Sequence, residues 1–118
     1  MARVIEDLYQ MTQVQNWLHT VVTFAASGDN TIISAPGVGK RIVIKTLIVQ
    51  DEVSNGTVVI VKSGSVNHIR LHTEKSERIV LSFAYGDEWR LAPNAALIIN
   101  LDGAHQHAAS VRYCVENV

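Results

Sequence analysis

Residues 41–50 read RIVIKTLIVQ, and residues 57–62 read TVVIVK. Both segments consist largely of β-branched residues, which fit a pleated sheet and lose side-chain freedom in a helix. Strict alternation in the first segment gives two faces, one with Ile42, Ile44, Thr46 and Ile48 and the other with Val43, Lys45, Leu47 and Val49. The second segment is apolar on both faces, which is typical of an inner strand covered on each side. Together they predict the centre of a β-sheet protein.

Seven further short runs flank these two, at residues 20–25, 31–34, 68–73, 78–83, 88–91, 96–101 and 109–116. Turn residues separate them, including Ser27-Gly28-Asp29-Asn30, the hairpin signal Asn55-Gly56, and Asp102-Gly103. Nine short strands predict an all-β fold, an antiparallel β-sandwich over residues 19–118. A strand that is apolar on both faces also points to a homo-oligomer, although overhanging loops can cover such a face equally well.

Residues 1–18 have a different pattern, with Val4, Leu8, Met11, Gln15 and Leu18 spaced 4-3-4-3. This spacing is the apolar seam of a coiled coil. Two heptads cannot hold a coil together alone, so such a seam matters only where the β-domain already gathers several chains. A single amphipathic helix on its own domain and an extended arm docked on a neighbouring protein fit the same residues.

The composition of the 118 residues excludes several classes of function. Lys and Arg total 10 against 11 Asp and Glu, for a net charge of -1, which predicts no nucleic-acid partner. The apolar runs are far shorter than the roughly 20 residues that cross a bilayer, which predicts no membrane partner. The single cysteine, Cys114, excludes an intrachain disulfide, and we expect synthesis in a cytosol.

Candidate catalytic motifs fail on their spacing. Residues 36–41 read PGVGKR, but a phosphate-binding loop needs Gly where Ser34 stands and Ser or Thr where Arg41 stands. We interpret the segment as a glycine turn before a strand. The neighbouring carboxylates Asp87 and Glu88 would point to opposite faces of a strand and cannot flank one substrate bond. The sequence therefore predicts neither an enzyme nor a cofactor.

Two histidines and three aromatic residues are the remaining candidates for a ligand site. His105 and His107, with Asp102 nearby, form the best metal candidate, but a solvated loop is the simpler interpretation and no metal is predicted. Trp17, Tyr85 and Trp89 are expected to be partly exposed. They could stack on sugars, but contact between subunits or packing beneath a loop is favoured.

Several segments resemble a family of small phage and prophage proteins. Residues 25–35 read AASGDNTIISA, followed by Gly39-Lys40-Arg41-Ile42 and a long β-branched strand. Val61-Lys62-Ser63-Gly64, the run from Ala95 to Leu101 and the late Tyr113 also match. The resemblance covers about four-fifths of the chain and includes no catalytic signature.

The resemblance implies a jelly-roll virion component of the capsid decoration (cement) type, a homotrimer on the outer surface of a phage head. Its expected partners are copies of itself and the major capsid protein, and its expected location is the virion, after synthesis in the host cytoplasm. We assign partner contacts to Val4, Leu8, Met11 and Trp17. The alternative is a binding module of a head fibre, tail tip or baseplate that recognises host glycans, with Tyr85, Trp89 and the loop from His105 to His107 at an exposed apex.

Overall fold

The computed structural model describes residues 16–52, 56–74 and 76–118. These residues form nine strands and no helix. The strands are β1 (Leu18–Phe24), β2 (Gly28–Ile33), β3 (Lys40–Asp51), β4 (Thr57–Ser63), β5 (Val66–Thr73), β6 (Arg78–Ser82), β7 (Trp89–Arg90), β8 (Leu97–Leu101) and β9 (His107–Asn117). Each predicted strand is present, with ends shifted by a few residues at most.

The strands form two antiparallel sheets. Sheet A has the order β1-β9-β3-β6, with β7 also paired to β3, and sheet B has the order β2-β8-β4-β5. The pairs are nested along the chain, since β1 pairs with β9, β2 with β8, β3 with β6 and β4 with β5. This is the double-sheet arrangement of a jelly roll, so the predicted fold class is confirmed. The predicted N-terminal helix or arm covers residues 1–18; residues 1–15 lie outside the described part, and Leu18 is the first residue of β1.

The core fills the space between the two sheets. Its fully buried members come from both, and include Ile42, Ile44, Leu47, Val49, Val59, Val61, Leu97, Ile99, Leu101, Ala109 and Val111. In β4 the inward Val59 and Val61 are fully buried, while Val58 and Ile60 are half-buried on the outer face. Its position between β8 and β5 confirms β4 as an inner strand.

Strict alternation in β3 is wrong beyond Ile44. The pairing with β9 shifts between Ile44 and Thr46, which makes Lys45 the extra residue of a β-bulge. Ile44 therefore shares the core face with Leu47 rather than with Thr46 and Ile48. The bulge thus places Leu47 and Val49 in the core and leaves Thr46 and Ile48 on the outer face.

The predicted hairpin at Asn55-Gly56 is also wrong, although Asn55 itself lies outside the described residues. β3 belongs to sheet A and β4 to sheet B, so the chain crosses between sheets here instead of reversing within one. The hairpin of sheet B lies between β4 and β5, where Gly64 adopts a positive φ of 59°. Turn residues thus mark the end of a strand without specifying which strand pairs next.

The glycine turn at residues 36–41 is confirmed. Gly37 and Gly39 have φ angles of 113° and 78°, and β3 begins at Lys40. Asn94 holds this turn, since its Oδ1 accepts a hydrogen bond from Gly37 N at 2.9 Å and its own N donates to Lys40 O at 2.7 Å. No helix follows the glycines, so their amides are not arranged as in a phosphate-binding loop.

Candidate interaction surfaces

The described residues cover one of the four predicted partner contacts. Val4, Leu8 and Met11 lie outside the described residues, and their assignment stays a prediction. Trp17 is half-buried and directly precedes β1. The other described candidates for contact with a partner are the exposed apolar side chains of the β-sandwich.

A first apolar surface lies on the inner face of β1 and β9, at the end of sheet A where β1 begins. Leu18 pairs with Tyr113, and Val115 follows two residues later on the same inner face of β9. Leu18 is 47% exposed and Val115 42% exposed, although Val111 on that face is fully buried in the core. We call Leu18, Tyr113 and Val115 the end patch.

A second apolar surface crosses the outer face of sheet A. The register places Val21 opposite Ser110, Ser110 opposite Ile48, and Ile48 opposite Val80. Val21 is 61% exposed and Val80 is 52% exposed, while Ile48 and Ser110 are half-buried. We call these four residues the outer row. Ser110 is the one polar residue of the outer row.

A charged cluster lies on the same outer face of sheet A, toward the C-terminal end of β9. Glu116 Oε1 accepts hydrogen bonds from Arg41 Nε at 2.7 Å and from Arg90 Nε at 3.1 Å. Glu88 has a nearly fully buried side chain, with Oε1 accepting from Gly86 N at 2.9 Å and Oε2 lying 3.8 Å from Lys45 Nζ. Trp89 pairs with Ile44, which brings the preceding Glu88 beside Lys45.

The charged cluster lies beside two outward-facing side chains that would otherwise be exposed. Val43 is fully buried and Cys114 is 7% exposed, although both lie outside the core between the sheets. Burial raises the pKa of the Cys114 thiol, and the neighbouring Glu116 carboxylate adds to the effect. The thiolate is the reactive form, so the structure supports the interpretation of Cys114 as an inert packing residue.

The outer face of sheet B is more polar. Asn100 Nδ2 donates to Asp29 Oδ1 at 2.7 Å, and Lys62 Nζ lies 3.1 Å from both Asp29 oxygens. These two partners, Asn100 first, lower the pKa of Asp29. Because these polar groups are already paired with one another, sheet A offers the better surface for an apolar partner.

The aromatic and histidine residues of the glycan-binding alternative do not form one site. Trp89 is 9% exposed and pairs with Ile44, whereas His107 is fully buried and pairs with Asp51, seven residues further along β3. Tyr85 is exposed, but it lies in the loop between β6 and β7. The expectation of a partly exposed Trp89 was wrong, because its indole closes the core between the sheets.

His107 belongs to a buried polar network rather than to a solvated loop. Thr73 Oγ1 lies 3.2 Å from each of Asp51 Oδ2, Thr57 O and His107 Nε2. His107 Nδ1 lies 2.9 Å from the carbonyl oxygen of His105, which can only accept, so Nδ1 carries a proton. Asp51, Thr73 and His107 are all fully buried and tie the ends of β3, β5 and β9 together.

Within residues 16–52, 56–74 and 76–118, no group of three or more His, Cys, Asp or Glu side chains is arranged to hold a metal ion. In the same part of the chain, no helix has the length and hydrophobicity to cross a membrane.

His68 stacks on Trp89 where the edges of the two sheets approach one another. The ring centroids are 4.1 Å apart and the planes differ by 8°. Loss of water around the imidazole lowers the pKa of His68 below its ordinary value of 6.5. The folded protein therefore holds His68 neutral more strongly than the unfolded chain does.

This stack predicts a pH dependence of stability. The contribution of His68 is fully present above pH 6.5 and is lost as the pH falls from there through its lowered pKa, because the unfolded chain takes up the proton first. We expect His68→Phe, which keeps a stacking ring, to reduce the fall in unfolding free energy between about pH 7 and 5, the region where histidines titrate. Urea unfolding across this range measures it, with His72→Phe as the control. Equal slopes for wild type and His68→Phe would contradict the prediction.

Comparisons with known proteins add little to these observations. A scan against protein-family models and a search of curated proteins found no match. Among solved structures, the fold is similar to a crystal structure of PirA, with a TM-score of 0.45, 11% identity, and coverage of 81% of this chain and 93% of that one. It is also similar to the Tobacco streak virus coat protein dimer, with a TM-score of 0.29, 13% identity, and coverage of 81% and 86%. Neither score supports an argument about function.

Sequence reasoning missed the outer row entirely. Val21, Ile48 and Val80 come from three strands that are distant in the chain and meet only through the pairing of sheet A. The end patch had a partial signal, because Leu18 is the last residue of the 4-3-4-3 seam and Tyr113 and Val115 alternate in the terminal strand. Their exposure, however, depends on which parts of sheet A the rest of the protein covers.

Proposed function

We propose that this protein is a structural virion protein, a homotrimeric decoration protein that binds the outer surface of a phage head. The observation that carries the proposal is the exposed apolar surface of sheet A, at the end patch and the outer row. Exposed apolar side chains that lie near one another on a folded domain are candidates for contact with another protein. Two such surfaces on different faces suit a protein that contacts both its own copies and a larger assembly.

The sequence resemblance supplies the rest of the proposal. The segments that carry it include the turn at Gly39, the end of β4 and all of β8, which are parts of the jelly-roll framework. A major capsid protein is the proposed partner on the head. Residues Val4, Leu8, Met11 and Trp17 are the proposed contacts, either with the capsid or between neighbouring N-terminal segments.

The mechanism follows from multivalency. A trimer that straddles the junction between capsid subunits binds several of them at once. After the first contact, the others form at a high effective concentration, so individually weak contacts act together. Such a bridge opposes separation of the subunits under the internal pressure of packaged DNA.

The N-terminal contacts give a direct test on particles. We expect the triple variant Val4→Ser, Leu8→Ser and Met11→Ser to lose most of its occupancy on heads, because each change removes apolar area from the contact. Cryo-electron microscopy of particles from a phage that encodes the chain measures occupancy, with Val38→Ser, an exposed valine in the Gly37–Gly39 turn, as the control.

Two results would contradict the proposal. Particles with and without the protein that show identical density on the head would remove the decoration role, and density at a fibre or tail tip would favour the glycan-binding alternative. Full occupancy by the triple variant would refute the contact assignment alone.

A further inference from the structure

We propose that the outer face of sheet A docks on an acidic protein surface. The outer row lies against apolar side chains of the partner, and two flanking arginines, Arg78 and Arg112, pair with its carboxylates. The inference rests on the proposed function and deepens it, because it gives the chemistry that the head must present at the contact. The occupant is a different protein rather than a second copy of this chain.

Arg78 and Arg112 lie on opposite sides of the outer row. Arg112 comes two residues after Ser110 on β9, and Arg78 comes two residues before Val80 on β6. Strands β9 and β6 are both antiparallel to β3, so they run in the same direction. Positions two residues apart share one face of a sheet and are about 7 Å apart along the strand. A partner that covers the outer row therefore also meets an exposed arginine on each side of it.

Positive charge is concentrated on this face. The strand register places four arginines and one carboxylate there, namely Arg41, Arg78, Arg90, Arg112 and Glu116. Glu116 is shared between Arg41 and Arg90. Among the residues that the structure describes, the side chains of Arg78 and Arg112 form no hydrogen bond or ion pair. The chain as a whole has a net charge of -1, so the cationic face is a local feature of sheet A.

The two unpaired arginines determine the chemistry of the partner. Covering a charged group without a counter-charge costs free energy, so a partner that covers the outer row binds best where it presents a carboxylate to each arginine. The planar guanidinium suits this role, because it can donate two parallel hydrogen bonds to one carboxylate. Arginine is also enriched in protein interfaces, where lysine is depleted.

Two other occupants fit these observations less well. A second copy bound through the same face would bring two cationic surfaces together, and like charges in contact oppose binding. A nucleic acid would match the arginines but not the apolar row, in which Val21 is 61% exposed and Val80 is 52% exposed. Contacts with phosphates are made by charged and polar groups. An apolar row flanked by arginines therefore favours a protein that carries carboxylates around an apolar strip.

Binding of the full-length chain to phage heads tests the proposal. Co-sedimentation uses heads that lack this protein, from a phage that encodes it. We expect Arg112→Glu to raise the dissociation constant at least about tenfold, and Arg78→Glu/Arg112→Glu at least about a hundredfold, because each reversal sets carboxylates against carboxylates. Arg70→Glu, at an exposed position of β5 in sheet B, changes the net charge as Arg112→Glu does and should bind like wild type. Arg78→Gln/Arg112→Gln replaces the reversal if circular dichroism shows a loss of strand content.

Salt separates the charged part of the contact from the apolar part. Wild-type binding should weaken as NaCl rises from about 0.05 to 0.5 M, because salt screens exposed charges. The double arginine variant should lose this dependence. Val21→Ser/Val80→Ser should bind more weakly at every salt concentration and keep the dependence, since it removes apolar area alone.

Several results would overturn the proposal. Equal losses of binding in Arg112→Glu and Arg70→Glu would reduce the effect to net charge. A changed oligomeric state of the double arginine variant in sedimentation velocity would assign the face to contact between copies. Duplex DNA that displaces wild type from heads, with the valine variant binding as wild type does, would assign the face to a nucleic acid. Heads that bind wild type and the double arginine variant equally refute only this proposal, whereas heads that bind neither refute the decoration role on which it rests.

Discussion

Leu47→Ala is expected to lower the free energy of unfolding by about 2–5 kcal/mol, the usual cost of removing a buried leucine side chain from a packed core. Leu47 is fully buried in the core between the sheets. The neighbouring Ile48→Ala should cost only about 1 kcal/mol, the scale of a strand-propensity change on an open face. Urea denaturation of both variants at one fixed protein concentration measures the difference.

This pair of variants tests the bulge at Lys45 directly. If β3 alternated without interruption, Ile48 would share the core face with Ile42 and Ile44, and Ile48→Ala would be the costly substitution. The observed register predicts the reverse order. Equal losses for both variants would mean that a partner or a loop buries the outer face around Ile48 as thoroughly as the core buries Leu47.

Thr73→Val is expected to have the second large effect. The substitution keeps the shape of the side chain and removes the hydroxyl that lies 3.2 Å from Asp51 Oδ2, Thr57 O and His107 Nε2. A buried polar group that loses its hydrogen bond costs about 1–3 kcal/mol, and more where the group is charged. Because Thr73, Asp51 and His107 are all fully buried, removing the hydroxyl takes a hydrogen-bond partner from groups that water does not reach, and we expect the loss to exceed that for a surface threonine several-fold.

Thr23→Val provides the matched control, since Thr23 is exposed in β1 and surface substitutions change stability by about 0.5 kcal/mol or less. Thermal and urea unfolding of the two variants measure the comparison. A Thr73→Val variant as stable as wild type would show that Asp51 and His107 do not depend on the hydroxyl. Neither threonine belongs to the end patch or to the proposed N-terminal contacts, so we expect each variant to keep the oligomeric state of wild type.

Strand composition made the fold class predictable. The run Val58-Val59-Ile60-Val61 is apolar on both faces, so it is removed from water only where other parts of the protein cover each face. Its β-branched side chains also favour a pleated backbone over a helix. Glycine and asparagine marked where strands end, because they tolerate positive φ. These properties belong to short segments of the chain, and they were sufficient for nine strands and for the glycine turn before β3.

Residue spacing could not predict which of these segments meet. Asn55-Gly56 marked a chain reversal, but whether β4 pairs with β3 or crosses to the other sheet depends on the burial that each arrangement achieves across the whole domain. The same holds for His105 and His107, which look alike in the sequence. Pairing of β9 with β3 and β1 places His107 between the sheets beside Asp51, while His105 stays partly exposed.

The sequence by itself determined the strands, their ends and the apolar content that made a β-sandwich the favourable state, because backbone preference and side-chain shape act over a few residues. The tertiary structure decided the face of each side chain beyond the bulge at Lys45, the convergence of Val21, Ile48 and Val80, and the exposure of Leu18 and Val115. Those outcomes depend on strand register and on which parts of each sheet the rest of the protein covers, and both are fixed only when residues distant in the chain pack together.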